Sequence, residues 1–116
     1  MDRKPVIIIG AIFFLIGILG FISNPLIGTN ALFVANVAHN VFHLVVGALL
    51  LIVALKARET TTLWLRVVGA ALFLLGLFGV FSTPPAGGAL FGFVTTNAYS
   101  DWLHLIAGTV LVAGTF

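Results

Sequence analysis

The sequence predicts an all-α fold, a four-transmembrane-helix bundle built from a tandem duplicated helical hairpin. Three observations predict it. The 116 residues are 61% hydrophobic and only 7% charged, with a mean hydropathy of +1.27, whereas a soluble domain carries about a quarter charged residues. Four apolar stretches of helical length are separated by breaks rich in Pro, Gly or charge. A pattern of Gly, Ser, Pro, Asn and His residues in the first half also recurs in the second.

The net charge of +2 rests on Arg3, Lys4, Lys56, Arg58 and Arg66. That is too thin for a nucleic-acid face, which needs clustered basic residues, but is what loops at a membrane surface carry. The absence of Cys excludes disulfides, thiolate metal sites and a cysteine nucleophile.

The first helix is expected over the unbroken apolar run from Pro5 to Ile22, behind Asp2, Arg3 and Lys4. The run exceeds the apolar region of a signal peptide and no small-x-small cleavage site follows, so it reads as a permanent span. Ser23-Asn24-Pro25 ends it, because Pro disfavours helix in its predecessor. Leu26 to Ala35 is apolar but broken by Gly28, Thr29 and Asn30, and reads as a membrane-hugging loop or a short interfacial helix. A second helix runs from about Asn36 to Leu55, and Lys56, Ala57, Arg58, Glu59 and three threonines form the next loop. The third covers about Leu63 to Phe81, with Trp64 and Arg66 as interface anchors. Ser82-Thr83-Pro84-Pro85 stops it, and Leu90 to Thr96 is again apolar and Gly-broken. The fourth helix opens at Ser100, a good N-cap, with Asp101 favourably placed in its first turn. It reaches only about 24 Å by Phe116, so it is either short and tilted or continues beyond the sequence given.

The repeat is specific. Gly10, Gly17, Gly20, Ser23 and Pro25 match Gly69, Gly76, Gly79, Ser82 and Pro84 at an offset of 59. Asn36, His43, Leu44 and Gly47 match Asn97, His104, Leu105 and Gly108 at an offset of 61. Residues 1–116 are thus expected to form a single integral membrane domain, with repeat one at about 5–57 and repeat two at about 63–116. Each unit has two spans, so the copies enter the membrane in the same direction. They form parallel repeats with a pseudo-twofold axis along the membrane normal. Basic residues at 3–4 and 56–58 place the N-terminus and central loop in the cytoplasm and the Pro-containing loops outside.

The duplicated Gly-x6-Gly-x2-Gly helix is followed by an N-x6-H-L-x2-G helix and its D-W-L-H-L-x2-G copy. Together they resemble a family of small bacterial four-helix membrane proteins catalogued as domain of unknown function 4383. The resemblance covers nearly the whole chain, and Asp101-Trp102-Leu103-His104-Leu105 is its most specific part. It implies a multi-pass protein of a bacterial inner, cytoplasmic-type membrane and brings no reaction, substrate or cofactor.

The glycines are expected to form helix-packing faces, Gly10, Gly17, Gly20 and Gly47 in one copy, Gly69, Gly76, Gly79 and Gly108 in the other. In lipid, association depends on close approach, which small residues permit. The alternative is an oligomer interface. Asn36, Asn40, His43 and Gly47, like Asn97, Asp101, His104 and Gly108, stand at steps of four, three and four. They form a polar stripe on one helix face.

Several readings of that stripe compete. In the plainest, each His bonds a neighbouring helix and pins the bundle. A sharper one is tetrapyrrole binding, with His43 and His104 as axial ligands to haem iron or chlorophyll magnesium and Asn40 and Asp101 orienting them. A metal ion on His39 and His43, an i, i+4 pair, would need His104 and Asp101 to complete its ligands, and Ser100 replaces His39 in the second copy. No metalloprotease, P-loop or dinucleotide motif occurs, and Ser100, Asp101 and His104 read as a cap followed by a polar face rather than a triad. The expectation is therefore a small non-enzymatic integral membrane protein. It would be a structural or accessory subunit of a larger membrane complex, or a stress-related or envelope protein. Tetrapyrrole binding and an oligomeric ion or proton conductor lined by Asp101 and the histidines are the alternatives. Expected partners are the lipid bilayer and other membrane subunits or a second copy, with no nucleic acid.

Overall fold

A computed structural model describes residues 3–116; Asp2, read above as part of the polar lead into the first helix, lies outside the described residues, as does Met1. Four α-helices make the bundle: α1 (Arg3–Gly20), α2 (Val37–Lys56), α3 (Thr61–Ser82) and α4 (Ala98–Ala113). A 3-10 turn, Arg58–Thr60, joins α2 to α3. Three helical segments, Arg3–Gly20, Val37–Lys56 and Arg58–Ser82, are long and apolar enough to cross a membrane. At 16 residues, α4 is shorter.

The helices pair in sequence order. Along α1, Gly10 faces Gly47 and Leu50, Gly17 faces Leu44, and Gly20 faces Asn40, so α1 and α2 run antiparallel in close contact. Along α3, Gly69 faces Gly108 and Val112, Gly76 faces Leu105, and Gly79 faces Asp101, giving α3 and α4 the same arrangement. A methyl group at Gly47 or Gly76 would meet backbone of the facing helix, Phe14 N and Leu105 N respectively, both at 2.5 Å, whereas Gly20 and Gly79 face the Asn40 and Asp101 side chains. Close approach of this kind supplies the dispersion contact that holds helices together where water provides no driving force.

The two pairs meet at both ends. Toward the α2–α3 turn, Val6, Val46, Leu50, Ala54, Leu65, Val68 and Leu72 form one buried apolar cluster drawn from α1, α2 and α3. Arg66 ties α3 to the end of α4, its Nε donating to Thr115 Oγ1 at 2.9 Å and its guanidinium lying 4.1 Å from the Phe116 ring centroid. At the opposite end the pairs are joined by polar contacts and by the Phe33–Tyr99 ring pair, centroids 6.4 Å apart.

That end departs from the sequence expectation in two ways. Leu26 to Ala35 forms no interfacial helix. It holds β1 (Ile27–Gly28) and β2 (Phe33–Val34), paired in parallel, and the second connection holds an antiparallel hairpin of β3 (Gly88–Leu90) and β4 (Val94–Thr96). Backbone groups in apolar surroundings must find partners, and local strand pairing supplies them. The tip of the hairpin turns through Phe91 and Gly92, both left-handed at φ 55° and 70°, a conformation Gly takes freely and Phe rarely. The second departure is the start of α4. Asn97, not Ser100, is the N-cap, its side chain accepting from Ser100 N, just as Asn36 caps α2 by accepting from His39 N.

Candidate ligand site beneath an apolar groove

The caps set the positions of the polar side chains. With Asn36 Oδ1 accepting His39 N at 3.0 Å, His39 falls in the first turn of α2 and His43 one turn on along the same face. With Asn97 Oδ1 accepting Ser100 N at 3.1 Å, Ser100, Asp101 and His104 occupy the first two turns of α4. All three imidazoles are buried and meet across the junction of the two helix pairs. The ring centroids lie 4.5 Å apart for His39 and His43, 5.2 Å for His39 and His104, and 5.9 Å for His43 and His104.

One tautomer follows from the contacts. His39 Nδ1 lies 2.7 Å from the carbonyl oxygen of Thr95. A carbonyl only accepts, so Nδ1 carries the proton and His39 Nε2 presents its lone pair. That lone pair faces His104 Nε2 at 3.4 Å. His43 Nδ1 and His104 Nδ1 are buried without a hydrogen-bond partner. An unpaired buried nitrogen of this kind costs about 1–3 kcal/mol.

Above the imidazoles runs a groove of about 390 Å³, walled by α1 through Ile9, Ile12 and Phe13 and by α4 through Leu103, Ala107 and Val110. His39, His43, His104 and Ser100 are its polar lining. Arrays of this type, an apolar cleft with a few convergent polar atoms, are where small ligands bind.

The other expected site residues are engaged elsewhere. Asn40 and Asp101 do not hydrogen-bond an imidazole, which corrects their assignment as orienting groups. Asp101 Oδ2 accepts from Thr83 Oγ1 at 2.9 Å, and its Oδ1, like Asn40 Oδ1, is buried without a partner. Both side chains lie against the glycines that end α1 and α3, Asn40 on Gly20 and Asp101 on Gly79. The group that does orient an imidazole is the Thr95 carbonyl, which no side-chain pattern in the sequence could have signalled. Asn24 was read only as a turn residue. Its amide donates to Leu19 O and Ile27 O at 2.8 and 2.9 Å and closes the end of α1. The Asn-Pro step was its signal.

The family model described as Domain of unknown function (DUF4383) matches residues 3–116. No curated protein and no solved structure matches the chain.

Proposed function

The chain belongs to the DUF4383 family, and from that premise we propose a non-enzymatic integral membrane protein, a duplicated hairpin serving as a structural or accessory subunit of a larger membrane assembly. It would sit in a bacterial cytoplasmic-type membrane with its N-terminus and central loop on the cytoplasmic side, as the basic residues at 3–4 and 56–58 suggest.

One observation carries this reading: the polar contacts between the two hairpins are reciprocal. Asn36 Nδ2 donates to Phe93 O at 2.9 Å, and Asn97 Nδ2 donates to Leu32 O at 2.8 Å. His39 Nδ1 bonds Thr95 O at 2.7 Å, and Ser100 Oγ reaches Val34 O at 3.4 Å. Asn36 and Asn97, Leu32 and Phe93, His39 and Ser100, and Val34 and Thr95 are each separated by 61 residues. Residue i of one copy therefore meets j of the other while j meets i, the signature of a twofold interface. The Gly10–Gly47 contact inside one hairpin likewise has its counterpart in the Gly69–Gly108 contact inside the other. In this reading the polarity of the stripe serves assembly, since Asn36, Asn97, Ser100 and Asp101 all bond backbone or Thr83. The outward faces carry Ile8, Leu15, Ile106 and Val110, all exposed, which suit lipid or a neighbouring span.

Photoreactive residues placed singly at Ile8, Leu15, Ile106 and Val110 in native membranes test the reading. Discrete adducts with a fixed set of membrane proteins, or with a second copy, are expected from one face. Adducts with lipid alone at all four positions would overturn it.

The groove favours a second reading, a tetrapyrrole held by an imidazole. His39 flanks both His43 and His104, so the arrangement suits one axial ligand facing the groove better than a macrocycle clamped between two. An absorption band of the purified protein that vanishes in His43→Ala or His104→Ala supports this. A colourless protein from a pigment-competent host removes it.

A further inference from the structure

We propose that His39, His43 and His104 form a binding site for a first-row transition-metal ion, with copper and zinc as the fitting class. The inference is independent of the accessory role, because it concerns His43, His104 and the Nε2 of His39, which the reciprocal contacts between hairpins leave unexplained. Ligand nitrogens from the three imidazoles lie within 4.8 Å of one another. Two of them, His39 Nε2 and His104 Nε2, are 3.4 Å apart. Two imidazoles on a tetrahedral ion at 2.0–2.1 Å are separated by about 3.3–3.4 Å, so this pair already stands at the spacing an ion imposes. Without an ion the same pair makes a poor hydrogen bond, since N–H donors prefer about 2.9–3.0 Å.

The surroundings are those of a ligand set rather than of a hydrogen-bonded clasp. His39 Nδ1–H donates to the Thr95 carbonyl, the outer contact that metal-bound histidines typically make and that turns the other nitrogen toward the ion. His43 and His104 each keep a buried Nδ1 with no partner, which a structural role does not account for. The donor set is all imidazole, and the cluster contains no ligating carboxylate or thiolate. Hard cations such as Mg²⁺ and Ca²⁺ require oxygen ligands, whereas imidazole suits zinc and copper. All three rings line the groove, the side from which a further ligand would approach an ion they held. Three protein ligands with an open position distinguish a site that handles a ligand from a closed structural one.

The exception to the repeat supplies the test variant. Ser100 occupies the position equivalent to His39 and makes the equivalent contact, to Val34 O. His39→Ser should therefore keep a hydroxyl donor for Thr95 O and preserve the fold while deleting one ligand. Purified protein stripped with chelator and held in nanodiscs is titrated with Zn²⁺, and with Cu⁺ against a chromophoric competitor. One ion per chain is expected for the wild type, with Mg²⁺ and Ca²⁺ failing to compete. His39→Ser should weaken binding by more than about 100-fold, since even loss of an outer-shell contact costs 10–100-fold. His43→Leu, an apolar replacement in apolar surroundings, serves as the second variant and should do the same. Both should match the wild type in helical circular dichroism. Wild-type stoichiometry well below one, or a folded His39→Ser that binds as tightly as the wild type, overturns the site. Haem titration separates the neighbouring chemistry. A tetrapyrrole held by His43 or His104 alone survives His39→Ser, and that pattern without ion binding also overturns the proposal.

Discussion

Replacing Gly47 with Ala tests how the bundle is held together. A methyl group there would sit 2.5 Å from Phe14 N and 2.7 Å from the Gly10 carbonyl oxygen, both backbone atoms of α1. Ordinary contact begins near about 3.5 Å, so α1 and α2 must part by up to about 1 Å. A gap of that size forfeits roughly a quarter to a half of the dispersion energy along the seam, and overpacking typically costs about 1–3 kcal/mol. Against this stands a gain of at most about 1 kcal/mol from the better helix propensity of Ala. The expected net loss for Gly47→Ala is about 1–2 kcal/mol. Gly10 is the control on the facing helix. Its methyl would meet the Leu51 Cγ at 3.1 Å and the Leu50 Cβ at 3.2 Å beside the Gly47 carbonyl oxygen at 3.1 Å, contacts that relax by a few tenths of an ångström. Gly10→Ala should fall within about 1 kcal/mol of the wild type. Reversible unfolding in mixed micelles, followed by the fluorescence of Trp64 and Trp102, measures both. A Gly47→Ala protein as stable as the wild type, or a costlier Gly10→Ala, would refute the reasoning.

Gly108→Ala, with Gly69 O at 2.5 Å and Phe73 Cα at 2.9 Å from the added methyl, should cost as much as Gly47→Ala in the same assay; a neutral result contradicts the duplication. Asn36→Ala and Asn97→Ala each remove a helix cap and a bond between hairpins. About 1–2 kcal/mol apiece is expected, and a large cost for one with none for the other breaks the reciprocal reading. Gly79→Ala drives a methyl into the Asp101 carboxylate, so unfolding of the single and double variants with Asp101→Ala should give a coupling of about 0.5–3 kcal/mol, whereas strict additivity would mean the two do not touch.

The helices were legible because their signals are local. Asn24-Pro25 and Pro84-Pro85 mark the ends of α1 and α3, since Pro restricts the residue before it whatever the tertiary context. The start of α4 was not, because Asn97 and Ser100 are both good caps three residues apart, and only the fold decides which accepts the hydrogen bond. The strands of the α1–α2 and α3–α4 connections were not legible for a related reason. They are two or three residues long, too short for an alternating pattern to register. At the site, the pairing of His43 with His104 could be read from the repeat. His39 was legible beside His43 as an i, i+4 pair, but its approach to His104 was not fixed by the repeat, because Ser100 stands in its place in the other half and that contact spans 65 residues.

Under the proposed duplication, His39 and Ser100 also bear on the order of events. Two separate hairpins meeting about a twofold axis contribute side chains in pairs, so they bring two imidazoles or four to the axis and never three. An odd set requires that the copies be joined and then allowed to differ. In that reading covalent fusion does more than raise the effective concentration of two halves. It lets one half keep a small hydroxyl at the position where the other carries an imidazole, leaving one side of the axis open.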